Sequence, residues 1–344
     1  HISMGFYADY QSDGNHLCAQ LSPIRPCTDI SIICWFCLLG LMGVIFGALH
    51  MVWMYTVTIA YSFCMIACAS IHQEENFMWI DTHVHFDAAE FDATRANDWV
   101  RARDAGVSAQ IIPAVSPANF ETVRTQSSQF PNTFYALGIH PMYVMDLPQA
   151  ASIELLRSAV VHSMNDPKFV AIGEIGLDGF VPELDWDTQV WFLRAQLNIA
   201  REFDLPVLLH VRRSVDKVSK YLREFSIQKG IAHAFNGSFE QALVYTDMGL
   251  HLGFGGTLTF ERARQIRRLA SELPLSSLVI ETDAPDIPPA WLNAGERNYS
   301  HHLPRIAHTL AKLRGLSHEA LAQSLWQNTL NALPRLAQVL PADI

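Results

Sequence analysis

The chain has 344 residues, of which 50% are hydrophobic, and its formal net charge is −10 with an isoelectric point near 5.8. This acidic balance argues against a broadly basic surface that would hold nucleic acid by charge alone. Any binding of a polyanion would therefore depend on a few groups within a local site.

The first segment, residues 1–77, differs in composition from the rest of the chain. Residues 30–71 contain no Asp, Glu, Lys or Arg, and all 6 cysteines lie within residues 1–77. A run of this length is sufficient to span a bilayer once or twice, whereas a signal peptide is shorter and begins with basic residues. Two interpretations remain, a membrane anchor or upstream sequence that is foreign to a domain starting at Met78. We expect the second, because the domain needs nothing upstream.

Apolar runs with the length of buried strands follow this segment. They cover residues 78–82, 109–115, 134–139, 169–175, 206–210, 230–234, 250–253 and 278–282. Between them, apolar residues recur three or four positions apart, which predicts helices at 95–105, 118–129, 185–203, 214–225, 240–248 and 259–272. The alternation predicts an α/β protein, with a closed (β/α)8 TIM barrel over residues 78–344.

Side chains of the types that bind metal ions stand at the ends of these strands. The candidates are His83, His85, Glu174, His210, His233 and Asp283. A barrel brings the carboxyl ends of its strands to one mouth, so we expect the six to share a pocket. A single histidine or carboxylate at such a place is usually a hydrogen-bonded residue or a helix cap. Six in equivalent places favour a hydrolytic metal site instead.

Two of these residues are candidates for catalysis. Glu174 has two carboxylate oxygens with which to bridge two ions. Asp283 is placed to ligate an ion, to take a proton from the attacking water, or to do both. We expect both residues to be essential for turnover.

His140 and Arg212 are candidates for substrate binding on the same rim. His140 follows the third strand, and the alternative is a structural histidine. Arg212 lies two residues beyond His210, where a guanidinium would pair with a phosphate or carboxylate. The alternative for Arg212 is a salt bridge, to Asp178 or Asp216.

Five short motifs resemble those of a known family. They read IDTHVHFD at 80–87, ALGIHP at 136–141, AIGEIGLD at 171–178, LPVLLH at 205–210 and IETDAP at 280–285. In this order they are similar to the TatD family of metal-dependent hydrolases, within the amidohydrolase-like barrel superfamily. The segment IAHAFNGS at 231–238 resembles the family's His-x-Phe-x-Gly-Ser loop. The chain departs from the family at residues 297–300, where relatives have Asn followed by a turn with proline.

The resemblance implies two divalent metal ions, with Zn²⁺, Mn²⁺ and Mg²⁺ as candidates. One ion would be held by His83, His85, Glu174 and Asp283, and the second by Glu174, His210 and His233. It also implies a nuclease that hydrolyses phosphodiester bonds of DNA, including from the 3′ end. The alternatives are an amidohydrolase that cleaves a C–N bond and a membrane-tethered metal-binding module without activity. A barrel without cysteine fits the cytoplasm, and the alternative location is a membrane reached through residues 30–71.

Overall fold

The computed structural model describes residues 78–342. The predictions for residues 1–77, including the membrane anchor at 30–71, lie outside the described residues. Among the helices within 78–342, none combines the length and the apolar composition needed to cross a membrane.

Eight strands form one sheet, and each strand pairs in parallel with the next along the chain. They are β1 Trp79–Asp81, β2 Val107–Pro113, β3 Thr133–Leu137, β4 Phe169–Asp178, β5 Val207–Arg212, β6 Gly230–Ala232, β7 His251–Phe254 and β8 Leu278–Ile280. Beyond β1, the backbone N–H of Thr82 donates to the carbonyl oxygen of Ile280 at 3.2 Å. The last strand thus returns to the first, and the predicted (β/α)8 TIM barrel is confirmed.

Helices occupy most of the connections between strands. Within residues 78–342 they are α1 Arg95–Asp104, α2 Phe120–Gln129, α3 Gln149–Ser163, α4 Trp186–Glu202, α5 Val215–Glu224, α6 Phe239–Asp247, α7 Arg264–Glu272, α8 Leu303–Arg314 and α9 His318–Ala332. Each predicted helical segment contains a helix, whereas α3, α8 and α9 were not among them. The helix α7 begins later than predicted because Thr259 closes a short turn, with its hydroxyl donating to the carbonyl of Gly256 at 2.6 Å.

The strand side chains form two buried layers. One layer faces the barrel interior and includes Leu208 and Ile231, whereas the other packs against the surrounding helices. Side chains two residues apart on a strand point to the same face. His210 and His233 each lie two residues beyond an interior residue, so their imidazoles point inward at the carboxyl ends of the strands.

A buried carboxylate, Asp81, connects the end of β1 to the segment after β8. Its Oδ1 accepts the backbone N–H of Thr282 at 2.9 Å, and its Oδ2 accepts the hydroxyls of Thr282 at 2.6 Å and Ser300 at 2.7 Å. Next to this link, the N–H of Asp283 donates to the carbonyl of His83 at 2.8 Å. Hydrogen bonds to an ionised acceptor are among the stronger ones in proteins. The hydrogen bonds of Asp81 and of the Asp283 N–H hold His83 and Asp283, the first and last predicted ligands, next to each other.

Candidate metal centre

The carboxylate of Glu174 lies at the middle of the barrel mouth, with a residue exposure of 1%. Its Oε2 atom faces the histidines after β1, at 3.1 Å from His83 Nε2 and 3.6 Å from His85 Nε2. Asp283 Oδ1 lies 3.6 Å from each of the same two nitrogens. Four donor atoms therefore surround one small volume on this side of Glu174.

The other oxygen of Glu174 faces three more histidines. Its Oε1 atom lies 2.9 Å from His233 Nε2, 3.1 Å from His210 Nδ1 and 3.3 Å from His140 Nε2. His140 is only 2% exposed. The structure thus places His140 against Glu174 among the predicted ligands, a position that favours contact with the metal centre over direct contact with a bulky substrate.

These separations fit the coordination of a small divalent ion. Ligand atoms about 2.0–2.1 Å from a tetrahedral ion lie roughly 3.3 Å from one another. Three groups have all their donor atoms within 4.8 Å of each other, and they are His83, Glu174 and His233; His83, His85 and Asp283; His140, Glu174 and His210. The donors are compatible with a metal site on both sides of Glu174.

The rings of His83 and His233 are stacked, with centroids 3.9 Å apart, and their pKa values shift in opposite directions. Burial lowers the pKa of His83 to about 4, and the charge of His233 contributes to this. Burial also acts to lower the pKa of His233. The negative charges of Glu174, Asp283 and Glu281 outweigh burial and raise the pKa of His233 to about 10. Without a metal, a proton on His233 balances Glu174, and binding of a cation would release it.

Several buried polar atoms of the centre have no hydrogen-bond partner within residues 78–342. They include Asp283 Oδ1, His83 Nδ1 and His233 Nδ1. Leaving a buried polar atom unpaired costs about 1–3 kcal/mol. An ion between the donors would give Asp283 Oδ1 a partner, and nitrogen and oxygen donors together suit Zn²⁺ or Mn²⁺. The residues present therefore fit a divalent metal.

Two further carboxylates lie next to histidines of the centre, and one of them, Asp178, is hydrogen-bonded to its histidine. Asp178 Oδ2 lies 2.9 Å from His210 Nε2, and Glu281 Oε1 lies 3.9 Å from His233 Nδ1. Burial raises the pKa of Glu281 to about 8. The room for Glu281 comes from Gly253, where a Cβ atom would lie 2.2 Å from Glu281 Oε2.

The backbone around Asp283 is irregular and is held by one buried side chain. Asp283 has a φ of 55°, in the left-handed region that non-glycine residues avoid. Asn298, with 0% exposure, donates from Nδ2 to the carbonyls of Thr282 at 2.8 Å and Asp286 at 2.9 Å. The segment that departs from the family pattern thus fixes the turn that presents Asp283.

Arg212 lies at the edge of the centre, beside Asp178. Its Nη1 atom is 3.7 Å from Asp178 Oδ2, and its side chain is 23% exposed. The salt bridge to Asp178 given as an alternative is therefore present, and part of the Arg212 side chain remains exposed.

Comparisons with known proteins identify the family. The family model described as TatD related DNase matches residues 80–334. The Escherichia coli protein named uncharacterized metal-dependent hydrolase YjjV is 38% identical over 254 residues, which cover 73% of this chain and 96% of YjjV. The chain belongs to the TatD family. The family predicted from the motifs is thereby confirmed, and the protein is a metal-dependent hydrolase of the TatD type.

A solved structure of YjjV and a second relative agree with this assignment. The crystal structure of YjjV, a TatD homologue, superposes with a TM-score of 0.71 at 36% identity, covering 74% of this chain and 98% of that one. The zebrafish (Danio rerio) protein named "Putative deoxyribonuclease tatdn3" is 29% identical over 266 residues, or 75% of this chain and 98% of its own length. This TatD protein thus matches relatives over nearly their whole length.

The sequence pattern did not identify the roles of Asp178, Glu281 and Asn298. Asp178 and Glu281 stand within the motifs at 171–178 and 280–285, beside predicted ligands. Metal-binding histidines commonly donate their second N–H to a carboxylate, so an additional carboxylate within a motif that holds a predicted ligand is a usable signal. Asn298 carries no comparable signal.

Proposed function

We propose that this TatD protein hydrolyses phosphodiester bonds of DNA with a metal-activated water and two divalent ions. The observation that carries the proposal is the position of Glu174 between two sets of donor atoms, one on each carboxylate oxygen. Paired metal sites of this kind are common in enzymes that cleave phosphodiesters. The family model is described as a DNase, and the zebrafish relative is named a deoxyribonuclease.

The ligand roles follow from the two donor sets. We assign one ion to His83, His85, Glu174 and Asp283, and the other to Glu174, His210 and His233, with His140 beside the second set. A bound divalent ion would supply Lewis acidity and lower the pKa of a water molecule. The protein contributes the arrangement of its nitrogen and oxygen atoms.

Asp283 is the proposed proton acceptor. Its side chain is 8% exposed and that of His85 is 14% exposed, against 1% for Glu174. The His210 side chain is 10% exposed, so the centre is open at His85, His210 and Asp283, where a water molecule and the substrate would enter. The carboxylate of Asp283 accepts the proton of the attacking water, which is the part a general base plays in hydrolysis.

Arg212 is the proposed contact for a phosphate of the substrate. A planar guanidinium pairs with two phosphate oxygens at once. We expect Arg212→Ala to raise KM while the metal content stays at the wild-type level. Unchanged kinetics would contradict this role.

The experiment compares bond types on the full chain, purified without chelators and supplied with Mg²⁺, Mn²⁺ or Zn²⁺. The substrates are single-stranded DNA, bis(p-nitrophenyl) phosphate and a panel of small amides. Cleavage of both phosphodiesters is the expected result, and a Glu174→Gln preparation controls for contaminating nucleases. Cleavage of amides alone would show an amidohydrolase, and bound metal without any turnover would show a binding module.

A further inference from the structure

An exposed aromatic ring, Phe180, lies beside two arginines at the barrel mouth. The Cζ atom of Arg212 is 3.7 Å from the centroid of the Phe180 ring, and the Cζ atom of Arg213 is 4.5 Å from it. Phe180 is 39% exposed although it is large and apolar. A guanidinium stacked on a ring keeps its N–H edge available for a planar anion.

Close approach of the loops after β4 and β5 brings this group together. The N–H of Gly179 donates to the carbonyl of Arg212 at 2.8 Å, and a Cβ at Gly179 would lie 2.8 Å from the carbonyl oxygen of Arg213. The N–H of Phe180 donates to Asp178 Oδ1 at 2.7 Å. The position of the ring against the arginines therefore depends on a glycine and on the carboxylate that also supports His210.

The backbone of Arg213 is strained in a way that supports a function. Its φ is 52°, in the left-handed region that residues with a side chain rarely adopt. Within residues 78–342, no carboxylate lies within ion-pair distance of Arg213. Strained residues of this kind cluster at sites that bind ligands.

The group carries positive charge directly beside the metal centre. Asp178 Oδ2 lies 3.7 Å from Arg212 Nη1 and 2.9 Å from His210 Nε2, so the arginines adjoin a predicted ligand. Both guanidinium groups also lie against the Phe180 ring. Two positive charges gathered at one ring suit an anion that extends out of the centre.

We infer that Phe180, Arg212 and Arg213 form a seat for a second phosphate of the substrate, adjacent to the one that is cleaved. The inference rests on the proposed phosphodiesterase activity and extends it to substrate choice. A substrate with a neighbouring phosphate is bound at both places, whereas a lone phosphodiester reaches only the metal centre. A charge-assisted contact of about 1.4 kcal/mol corresponds to a tenfold preference.

The test measures kcat/KM for three dinucleotides of thymidine, namely TpT, pTpT and TpTp. We expect the wild-type full chain to prefer one of the two that carry an additional phosphate by about tenfold. Arg213→Gln removes a charge, and Phe180→Leu keeps an apolar side chain that cannot stack on a guanidinium. Both variants are expected to bring the ratio of kcat/KM values close to one.

The matched control is Arg194→Gln. Arg194 also lies over aromatic rings, at 5.5 Å from Tyr221 and 5.4 Å from Phe225, and its Nη1 pairs with Glu224 at 2.8 Å. It belongs to α4 on the outside of the barrel. The preference for the additional phosphate is expected to survive in this variant.

Two results would overturn the seat, namely a wild-type enzyme without preference, or variants that slow all three dinucleotides by the same factor. If wild type cleaves none of them, the proposed function fails separately. In that case, the equilibrium affinities of the same dinucleotides test whether the seat for a second phosphate exists. Tighter binding of pTpT or TpTp than of TpT, lost in Arg213→Gln, supports it, and equal binding rejects it.

Discussion

The Nε2 atom of His210 lies 2.9 Å from Oδ2 of Asp178, on the side of the ring that faces away from Glu174. Burial acts to raise the pKa of Asp178. The hydrogen bonds that its carboxylate accepts from His210 and from two backbone N–H groups outweigh burial and lower this pKa to about 2. An ionised Asp178 accepts the Nε2 proton and leaves the Nδ1 lone pair directed at the centre. Asp178 therefore sets both the tautomer and the orientation of His210.

Asp178→Asn is expected to weaken metal binding by about 10–100-fold, because an amide does not hold the Nε2 proton as a carboxylate does. Metal content after dialysis against chelators of increasing strength measures the effect. The exposed Asp187 on α4, replaced by Asn, is the control. Equal metal retention in both variants would exclude the orienting role of Asp178.

Glu174→Gln is expected to abolish turnover and to lower the metal content, because the shared carboxylate faces both sets of donors. Ligand binding to the folded state raises Tm, so a chelator is expected to lower Tm in wild type and to have little effect in the variant. Elemental analysis and thermal unfolding measure the two properties. Wild-type activity in Glu174→Gln would contradict the assignment of this residue.

Asp283→Asn is expected to separate metal binding from catalysis. The second set of donors does not include Asp283, so at least one ion is retained. Turnover falls by about 10²–10⁴-fold, the usual contribution of a general acid or base. The comparison is metal content against kcat in the same preparation. A proportional loss of both would show that Asp283 acts only as a ligand.

The sequence predicted the parts of this site that depend on strand periodicity. His210 and His233 each lie two residues beyond an interior side chain, so the pattern alone was sufficient to place them at the mouth. The contact of His140 with Glu174 was not predictable in this way. Whether a histidine at the rim faces a ligand or the solvent depends on the distance between the ends of two neighbouring strands, which the sequence pattern does not give.

Contacts made by loops were also beyond the sequence pattern. The hydrogen bond between Asp81 and Thr282 joins residues 201 positions apart, and the stacking of Arg212 on Phe180 joins two separate loops. No periodicity extends into such segments, since their course depends on the packing of the whole barrel. The strand ends and the family resemblance both indicated the candidate ligands, but neither indicated that Asn298 fixes the turn after β8.

His302 is expected to make the fold less stable in mild acid. Burial, with the charges of His301 and Arg305, lowers the pKa of His302 to about 4 from its ordinary 6.5. Above pH 6.5 the imidazole is neutral in both states and stability is complete. As the pH falls from 6.5 toward 4, the unfolded chain binds a proton that the folded protein does not, and stability is lost.

His302→Gln removes this titration and keeps a donor for Asn298 Oδ1, which lies 3.0 Å from His302 Nδ1. Between pH 7 and 4.5, wild type is expected to lose about 1–2 kcal/mol more than the variant. Urea unfolding of metal-free protein at both pH values measures the difference. Parallel losses in the two proteins would mean that His302 does not titrate in this range.

The turn that presents Asp283 supplies the last prediction, which concerns Asn298. Asn298→Ala leaves the carbonyls of Thr282 and Asp286 without their side-chain donor, at a place with 0% exposure. The free energy of unfolding is expected to fall by about 2–4 kcal/mol, because buried groups left unpaired lose their full hydrogen-bonding energy. Turnover is expected to fall as well, because the loss of these two hydrogen bonds loosens the turn that places the Asp283 carboxylate.

The exposed Asn293 of the same loop, replaced by Ala, is the matched control. Among residues 78–342 its side chain hydrogen-bonds only to Glu296, at 3.2 Å, so stability and turnover are expected to stay near wild type. Urea unfolding and kcat for bis(p-nitrophenyl) phosphate, measured at saturating metal, compare the two variants. If Asn298→Ala loses stability but keeps kcat, the turn holds its shape without the side-chain hydrogen bonds of Asn298. Asn298 would then stabilise the fold without positioning the catalytic carboxylate.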